Sequence, residues 1–595
     1  MALFNTTVLP STPYPNVPYR IYQEWCMGDS LDVINANFNH FDATDIALQT
    51  KISTLSASID ALTTAIGTFT TVPIGPVTPV GPVTPPTIIP KIVGLIDQNL
   101  GGGNTQGNMY IVSDGTMRVV GKSSSGELGI GVDTSSTTTP RIPLFEPPLF
   151  SGEGIASIVP QGDVTFVTTT FGRLYGAGAN SQYQLGLVDN VKRSVFTRIY
   201  IEPTVVTDAA AVKSPAFFVK KIEVGSGGNS ANITVFALTD SGDVYVWGRQ
   251  TEGQTGMPAV AAAVGIANAN YIFKPRRVTT ISNVKDIVSG GNSAMQTTFF
   301  LKNDKTLWVT GENSQGSAGI GNSYVAAPHL IPVYGDIRNK ILQVTVPGIT
   351  NNVKAIYCGG ESGSIVSWII TDSGKVYGTG YNNVGQAINA TSTGNKVSAF
   401  TELTHFTTNS DIVEHIVGHC DSAQTTMFAL IKTSTPNAYA IKGWGTNNMG
   451  TLGINNNTTP ILSPTAPTAP WGLDGALVSQ VCIAGDNANK ATLLLDTKNR
   501  LWSTGFGDNG LLGNGRTGSA SRRNKFELVS ISPGYGTPKI IRATNTSFSG
   551  WSNFLVVMDT GKVLGWGYDA ASSGQLAVDP SSKPTSIPSF VQLVT

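Results

Sequence analysis

The feature that most constrains the fold is a repeat with a period of about 64 residues that runs from residue 91 to residue 595. Each copy has an Asp-Gly or similar turn, a short β-rich run, Trp-Gly or an equivalent, and a Gly-x-Leu-Gly turn. We count eight copies, whose cores are residues 114–129, 172–186, 240–254, 304–321, 372–386, 444–453, 502–513 and 559–576.

Each copy predicts a small antiparallel sheet. Asp or Asn followed by Gly turns one strand into the next, because glycine adopts positive φ without steric cost. The run 244–247 alternates as a half-buried strand does, and further apolar runs such as 234–238 and 284–290 precede the turns. A ring of such sheets is an all-β propeller, so we predict that fold for residues 91–595. Eight blades are the first choice and seven the second.

These residues resemble the repeats of the regulator of chromosome condensation family, whose hallmark is the same Asp-Gly, Trp-Gly and Gly-Gln-Leu-Gly sequence. The resemblance covers residues 91–595. It implies a ring that usually has seven blades, and a role in guanine-nucleotide exchange or chromatin binding. The family often places a histidine before the core, where this chain has Gly-Asn-Ser, Gly-Glu-Ser or Gly-Asp-Asn.

Residues 31–69 predict an α-helical coiled coil that joins several chains. Apolar residues recur there at alternating spacings of three and four, and Asp45 is the one polar core position. A single helix packed on a globular domain is the alternative. The a-like positions are Leu31, Phe38, Asp45, Ile52, Ile59 and Ile66, and the d-like positions are Ile34, Phe41, Leu48, Leu55, Leu62 and Phe69. The number of chains in the stalk stays open.

Two proline-rich segments flank this stalk. Residues 1–30 interleave prolines with aromatic residues, which predicts an extended arm that docks on a larger assembly or folds back on the stalk. Its docking residues are Tyr14, Tyr19, Tyr22 and Trp25. Residues 70–90 repeat Gly-Pro-Val-Thr-Pro and predict a semi-rigid polyproline spacer between stalk and head.

Charge argues against several classes of partner. Lys+Arg and Asp+Glu are both 38, so the formal net charge is zero, and no basic run marks a nucleic-acid site.

No apolar segment is long enough for a transmembrane helix, so we expect no membrane insertion. The first nine residues do not have the pattern of a secretory signal, so we expect synthesis in a host cytoplasm.

We predict no catalytic, cofactor-binding or metal-binding residues. His415, His419 and Cys420 stand close together, but no second cluster would complete a metal site. Cys358, Cys420 and Cys482 are evenly spaced and are expected to be buried free thiols. Paired carboxylates from different blades leave a polysaccharide depolymerase open as an alternative to a non-enzymatic protein.

The arrangement of arm, stalk, spacer and head looks like a phage tail fibre, spike or decoration protein. We therefore expect an oligomeric virion protein that contacts other virion proteins through its arm, and whose several heads raise avidity for a host surface. The host glycan or protein would bind propeller loops within residues 187–220, 251–281, 321–350 and 455–476.

Overall fold

The computed structural model describes residues 91–92, 107–111 and 117–590. Gaps within the last range fall at residues 202–217, 226–232, 251–252, 258–270, 292–295, 322–339, 346–348, 350, 361–363, 389–395, 421–423, 469–470, 473, 487–488, 545–551 and 568–584. All described residues belong to the second of the two units into which the chain divides, Thr87–Thr595. The predicted arm, coiled coil and spacer, with their docking and heptad residues, lie outside the described residues.

The described elements are nearly all β-strands, and they form antiparallel sheets in chain order apart from the parallel pair β5–β9. The first three sheets contain β1 (Lys91–Ile92), β2 (Gly107–Ile111), β3 (Met117–Ser123) and β4 (Thr134–Arg141), then β5 (Phe145–Glu146), β6 (Ile155–Gln161), β7 (Val164–Thr169), β8 (Leu174–Gly178) and β9 (Arg193–Ile199), then β10 (Val219–Gly225), β11 (Thr234–Thr239), β12 (Val244–Arg249) and β13 (Tyr271–Arg277). The fourth and fifth sheets contain β14 (Val284–Gly290), β15 (Thr297–Lys302), β16 (Leu307–Gly311) and β17 (Leu342–Gln343), then β18 (Val353–Gly359), β19 (Val366–Thr371), β20 (Val376–Tyr381) and β21 (Lys396–Glu402).

The remaining strands form two sheets. These contain β22 (Val413–Cys420), β23 (Thr425–Lys432), β24 (Tyr439–Gly445), β25 (Ile461–Thr465), β26 (Val478–Asp486), β27 (Asn489–Asp496), β28 (Leu501–Gly505) and β29 (Arg523–Leu528), then β30 (Pro538–Thr544), β31 (Asn553–Met558), β32 (Val563–Gly567) and β33 (Thr585–Phe590). The helical elements among the described residues are α1 (Thr404–Thr408) and the 3₁₀ turns Ser519–Ser521 and Pro533–Tyr535. No described helix is long and apolar enough to cross a membrane.

The prediction of an all-β propeller is confirmed, but the predicted count of eight blades is corrected. Five of the sheets are separate four-stranded blades, one sheet has five strands and one has eight. The eight-stranded sheet arises because Tyr439 in β24 pairs with Val478 in β26, which joins two neighbouring repeats. The five-stranded sheet arises because the short strand β5 adds to the edge strand β9.

From the second repeat onward, the first strand of each repeat lies beside the first strand of the next, and these strands surround a central channel. Contacts run in order from β6 through β10, β14, β18, β22 and β26 to β30. The second strands behind them are almost completely buried, as in β11 and β19. Each second strand therefore forms the centre of the core between neighbouring sheets, and the channel is lined by the first strands.

The Asp-Gly turns connect the second and third strands as predicted. Between β11 and β12, the amide of Gly242 donates to the carbonyl of Thr239 at 3.0 Å, and the amide of Thr239 donates to Asp243 at the same distance. Gly242 has φ +81°. A Cβ atom there would also lie 3.0 Å from the amide nitrogen of Val284 in the next sheet, so glycine is needed for both reasons.

Neighbouring sheets are locked together through the Gly-x-Leu-Gly turns. The buried indole of Trp247 donates from Nε1 to the carbonyl of Gln184 in the preceding repeat at 2.9 Å. Trp566 makes the same bond to Leu511 at 2.9 Å. The ring packs on the turn's last glycine, since a Cβ on Gly186 would lie 2.9 Å from Trp247 Cδ1. We call this contact between a ring and the preceding turn the inter-sheet lock.

Two residues of a sheet form the lock, and the residue types at these two positions are correlated. One position precedes the glycine at or near the end of the third strand. The other lies beside it on the fourth strand. Where the third strand has Trp, the fourth has Pro, and where the third has Ala or Thr, the fourth supplies Phe. The pairs are Trp247 with Pro275, Trp444 with Pro464, Ala177 with Phe196, Thr379 with Phe400 and Thr504 with Phe526.

The phenylalanines occupy the space that tryptophan fills elsewhere. A Cβ on Gly129 would lie 2.3 Å from the Phe196 ring, and one on Gly319 would lie 2.3 Å from the Phe400 ring. In these junctions one aromatic ring therefore fills the same site from either strand. The fourth sheet departs from the rule, because Thr310 and Ile341 lie beside Gly256 and supply no ring.

Exchanging one kind of lock for the other tests this pairing. Trp247→Thr leaves a cavity beside Gly186, and we expect the free energy of unfolding to fall by about 3 kcal/mol in urea denaturation. Adding Pro275→Phe supplies a ring from the fourth strand and is expected to recover about half of the loss or more. Lys274→Ala, an exposed neighbour, is the control. A double variant no more stable than the single one would contradict the pairing.

Substitution of two glycines with similar φ angles distinguishes the cost of lost packing from the cost of backbone strain. Gly186 has φ +66° and touches Trp247, whereas Gly152 has φ +76° and would place a Cβ with no other atom within 4 Å. We expect Gly152→Ala to cost about 1 kcal/mol from backbone strain alone. Gly186→Ala is expected to cost at least about 2 kcal/mol more, because the methyl group displaces the indole. Equal losses in urea denaturation would show that the ring contact contributes nothing.

Candidate functional site

A β-bulge lies near the start of seven of the strands that begin a repeat, from β6 to β30. The register shifts lie between Ile155 and Ser157, Val219 and Lys221, Val284 and Asp286, Val353 and Ala355, Val413 and His415, Val478 and Gln480, and Pro538 and Ile540. A bulge leaves one residue unpaired and re-aims its neighbours. Polar residues at this point of the strands can therefore reach the channel.

The channel contains a cavity of about 510 Å³. Its lining comes from the first strands β10, β14, β18, β22, β26 and β30, and from β23 and β24. Cavities of this size are in the range that proteins use for small ligands. The cavity is the principal candidate binding site within the described part of the chain.

Lys221 makes three polar contacts at the cavity wall. Its Nζ lies 2.8 Å from Asp286 Oδ1, 2.6 Å from the carbonyl of Ile287 and 3.3 Å from Glu223 Oε2. Burial alone would lower the pKa of Lys221, but the two carboxylates outweigh burial and raise its pKa above the usual value. Burial raises the pKa of Glu223, and the attraction of Lys221 and the Ser289 amide oppose that shift.

Side chains also bridge the backbones of neighbouring first strands. Gln480 on β26 donates from Nε2 to the carbonyl of Lys539 at 2.7 Å and accepts from the amide of Ile541 at 3.1 Å. Tyr357 on β18 bonds with the backbone of Ile416 on β22, while burial raises the pKa of Tyr357 to about 12. These side chains link strands that are not paired directly in a ladder.

Aromatic residues form one part of the cavity wall. His415 and Tyr439 meet edge to face, with ring centroids 5.6 Å apart and an interplanar angle of 88°. Burial lowers the pKa of His415. Both residues line the cavity together with Tyr357. The wall can therefore contact a planar or apolar group as well as a charged one.

The histidine and cysteine candidates are not brought together as a metal site. His415 lines the channel, while His419 and Cys420 are buried in the same strand. The described residues contain no group of three or more His, Cys, Asp or Glu that could hold a metal ion. Cys358, Cys420 and Cys482 are buried free thiols, as predicted, and burial raises the pKa of Cys358 to about 12.

The loops predicted to bind a partner divide between the two ends of the sheets. In an antiparallel sheet, connections from the first to the second strand and from the third to the fourth leave at one end. The connections β12–β13 and β16–β17 belong to that end, whereas the connection from β9 to β10 belongs to the other. The described strands that flank the predicted loops therefore place these connections at both ends of the sheets.

An exposed apolar patch lies on the first two sheets. Val132, Leu144 and Val191 are 57%, 52% and 57% exposed. The segments that carry them are joined, because the Gly131 amide donates to Ser194 at 2.7 Å and Leu144 donates to Gly129 at 2.8 Å. An ion pair between Asp133 and Lys192 connects the same segments. We call Val132, Leu144 and Val191 the apolar patch.

Neither the channel nor the apolar patch is predicted from the sequence. The sequence does contain a pattern that marks the strands of the channel. Five of these strands begin with a valine that is followed three residues later by Ile or Val. The valines are Val219, Val284, Val353, Val413 and Val478. The apolar patch has no such signal, because exposure of single aliphatic residues depends on the tertiary arrangement.

Replacing Gln480 tests the bridges between first strands. Gln480→Met removes both hydrogen bonds at similar side-chain length, and we expect a loss of about 1–2 kcal/mol with faster hydrogen exchange at the Ile541 amide. Gln480→Glu keeps the acceptor for Ile541 and is expected to keep that amide protected. Unchanged exchange at Ile541 in the methionine variant would contradict the bridging role.

Comparisons with known proteins point to one type of repeat. No protein-family model matches the chain. The X-linked retinitis pigmentosa GTPase regulator of Canis lupus familiaris is 26% identical over 171 residues, 28% of this chain and 14% of that protein. The probable E3 ubiquitin-protein ligase HERC3 of Homo sapiens is 24% identical over 281 residues, 46% of this chain and 23% of that protein. The chain thus spans less than a quarter of the length of these two relatives.

Solved structures are similar at lower identity. Human WBSCR16 matches 71% of this chain and 94% of its own, with 16% identity and a TM-score of 0.45. Prp20p of Saccharomyces cerevisiae matches 67% of this chain and 90% of its own, with 17% identity and a TM-score of 0.43. The sequence relatives support the resemblance carried by the repeat cores: the chain is an all-β propeller whose repeats are similar to those of the regulator of chromosome condensation family.

Proposed function

We propose that the chain is a non-enzymatic propeller that binds a protein partner through its apolar patch. Exposed apolar patches rimmed by polar residues often mark sites where a protein binds a partner. Val132, Leu144 and Val191 supply the apolar centre. Asp133 and Lys192 form an ion pair at its border, which is the usual arrangement of an apolar centre with a charged rim. This patch is the observation that carries the proposal.

A small GTPase is the partner that we favour. Three of the relatives, one each from Canis lupus familiaris, Mus musculus and Homo sapiens, are named X-linked retinitis pigmentosa GTPase regulator. The resemblance to the regulator of chromosome condensation family implies guanine-nucleotide exchange as well. An exchange factor needs no covalent chemistry, since it accelerates nucleotide release by binding differently to the nucleotide-bound and nucleotide-free states.

Nucleotide release from a panel of small GTPases tests this proposal. We expect the full chain to bind one member and to accelerate release of its fluorescent GDP analogue. Leu144→Asp together with Val191→Asp is expected to weaken binding at least about 100-fold, because it places charges in the apolar centre of the contact. Ile412→Asp, an exposed aliphatic residue outside the patch, is the matched control. No binding to any member in any nucleotide state would contradict the GTPase assignment.

An oligomeric virion protein is the second candidate, and residues 1–90 favour it. The arm residues Tyr14 to Trp25, the heptads of 31–69 and the spacer 70–90 have the order of a docking arm, a stalk and a tether. In this role the arm binds other virion proteins, and the heads bind a host surface glycan or protein. The chain would be made in a host cytoplasm and act in the virion. A polysaccharide depolymerase would additionally release oligosaccharide from purified host polymer.

The mass of the full chain in solution tests the stalk on which the second candidate depends. We expect light scattering to give a dimer or trimer. Leu48→Asp with Leu55→Asp should convert it to a monomer, because the two charges enter the apolar seam. Thr50→Asp with Ala57→Asp adds the same charges on the outer face and should leave the mass unchanged. A monomeric wild-type chain would contradict this role.

A further inference from the structure

The charged side chains that line the central cavity are cations. They are Lys221 and Arg542, and no Asp or Glu is among the described residues that line it. The carboxylates of Glu223 and Asp286 contact Lys221, so the positive charge that is open to a ligand is that of Arg542. Arg542 therefore favours a ligand that carries negative charge.

Only one of the two cations is already neutralised. The ammonium group of Lys221 has two carboxylates within 3.3 Å and a carbonyl at 2.6 Å. The guanidinium of Arg542 donates from Nη1 to the carbonyl of Ile541 at 2.9 Å and has no carboxylate partner among the described residues. Its other N–H groups form a planar fork that matches a carboxylate or phosphate group.

The rest of the wall suits an apolar body of limited size. Val288, Val417 and Leu430 contribute aliphatic surface, and His415 and Tyr439 present the edge-to-face aromatic pair. Gln480 already uses its side-chain amide to bridge β26 and β30. Arg542 therefore supplies a charged donor for a ligand, and the aliphatic and aromatic residues supply apolar surface in the same cavity.

We propose that the central cavity binds a small organic anion. Arg542 contacts its carboxylate or phosphate group, and the aromatic pair with the neighbouring aliphatic residues packs against its apolar body. The site is distinct from the apolar patch on the first two sheets, so a small ligand and a protein partner can bind separately.

Four probes of the same shape and different charge test the proposal on the full chain. Isothermal titration calorimetry with benzoate, phenyl phosphate, benzamide and benzamidine compares two anions, a neutral amide and a cation. We expect one or both anions to bind, at least roughly tenfold more tightly than benzamide, because a charge-assisted bond replaces a neutral one. Benzamidine is expected not to bind. The two anions distinguish a carboxylate site from a phosphate site.

Substitution of Arg542 identifies the group responsible. Arg542→Gln is expected to reduce anion affinity at least roughly tenfold. Lys285→Gln removes an exposed cation of β14 that does not line the cavity, and it should leave affinity unchanged. Equal binding of benzoate and benzamide, no binding of either anion, or retained affinity in the folded Arg542→Gln variant would overturn the proposal. The comparison of probes on the wild-type chain decides the question even if that variant does not fold.

Discussion

The inter-sheet lock is the interaction on which the rest of the head depends. The junctions described above place an aromatic ring, or Ile341 in the fourth sheet, against the turn of the repeat before them. Trp247 both fills the space beside Gly186 and donates to the carbonyl of Gln184, so shape and hydrogen bonding act at the same point. Because the turn follows the third strand, this contact holds one sheet against the repeat before it.

The first strands of these repeats meet around the channel. Sheets that fan out from a common axis bring their first strands close, yet most of these strands do not pair with one another in ladders. Side chains such as Lys221, Tyr357 and Gln480 bridge them instead. The bulges give these residues access to the channel, and the space that they leave is the cavity. Packing at the outer strands and binding at the axis are therefore parts of the same geometry.

The sequence predicts the fold where local chemistry determines it. Asp-Gly turns, alternating runs and the repeated Trp-Gly all have direct structural consequences, and the turn at Gly242 has the predicted role. The fourth strands are harder to predict, because Pro275 and Phe196 look unrelated until their third-strand partners are known. The blade count failed for a tertiary reason, since the pairing of Tyr439 with Val478 merges two repeats into one sheet. The channel and the apolar patch depend on contacts between sheets, so single repeats do not reveal them.

Hydrogen exchange in the Trp247→Ala variant tests most directly whether a single aromatic ring stabilises the contact between two neighbouring sheets. We predict faster exchange in peptides that cover the turn 180–187, and unchanged exchange in peptides that cover the equivalent turn 447–453, where Phe526 supplies the ring. A uniform change over both turns would show that stability is lost globally. Unchanged exchange at 180–187 would contradict the claim that the lock holds neighbouring sheets together.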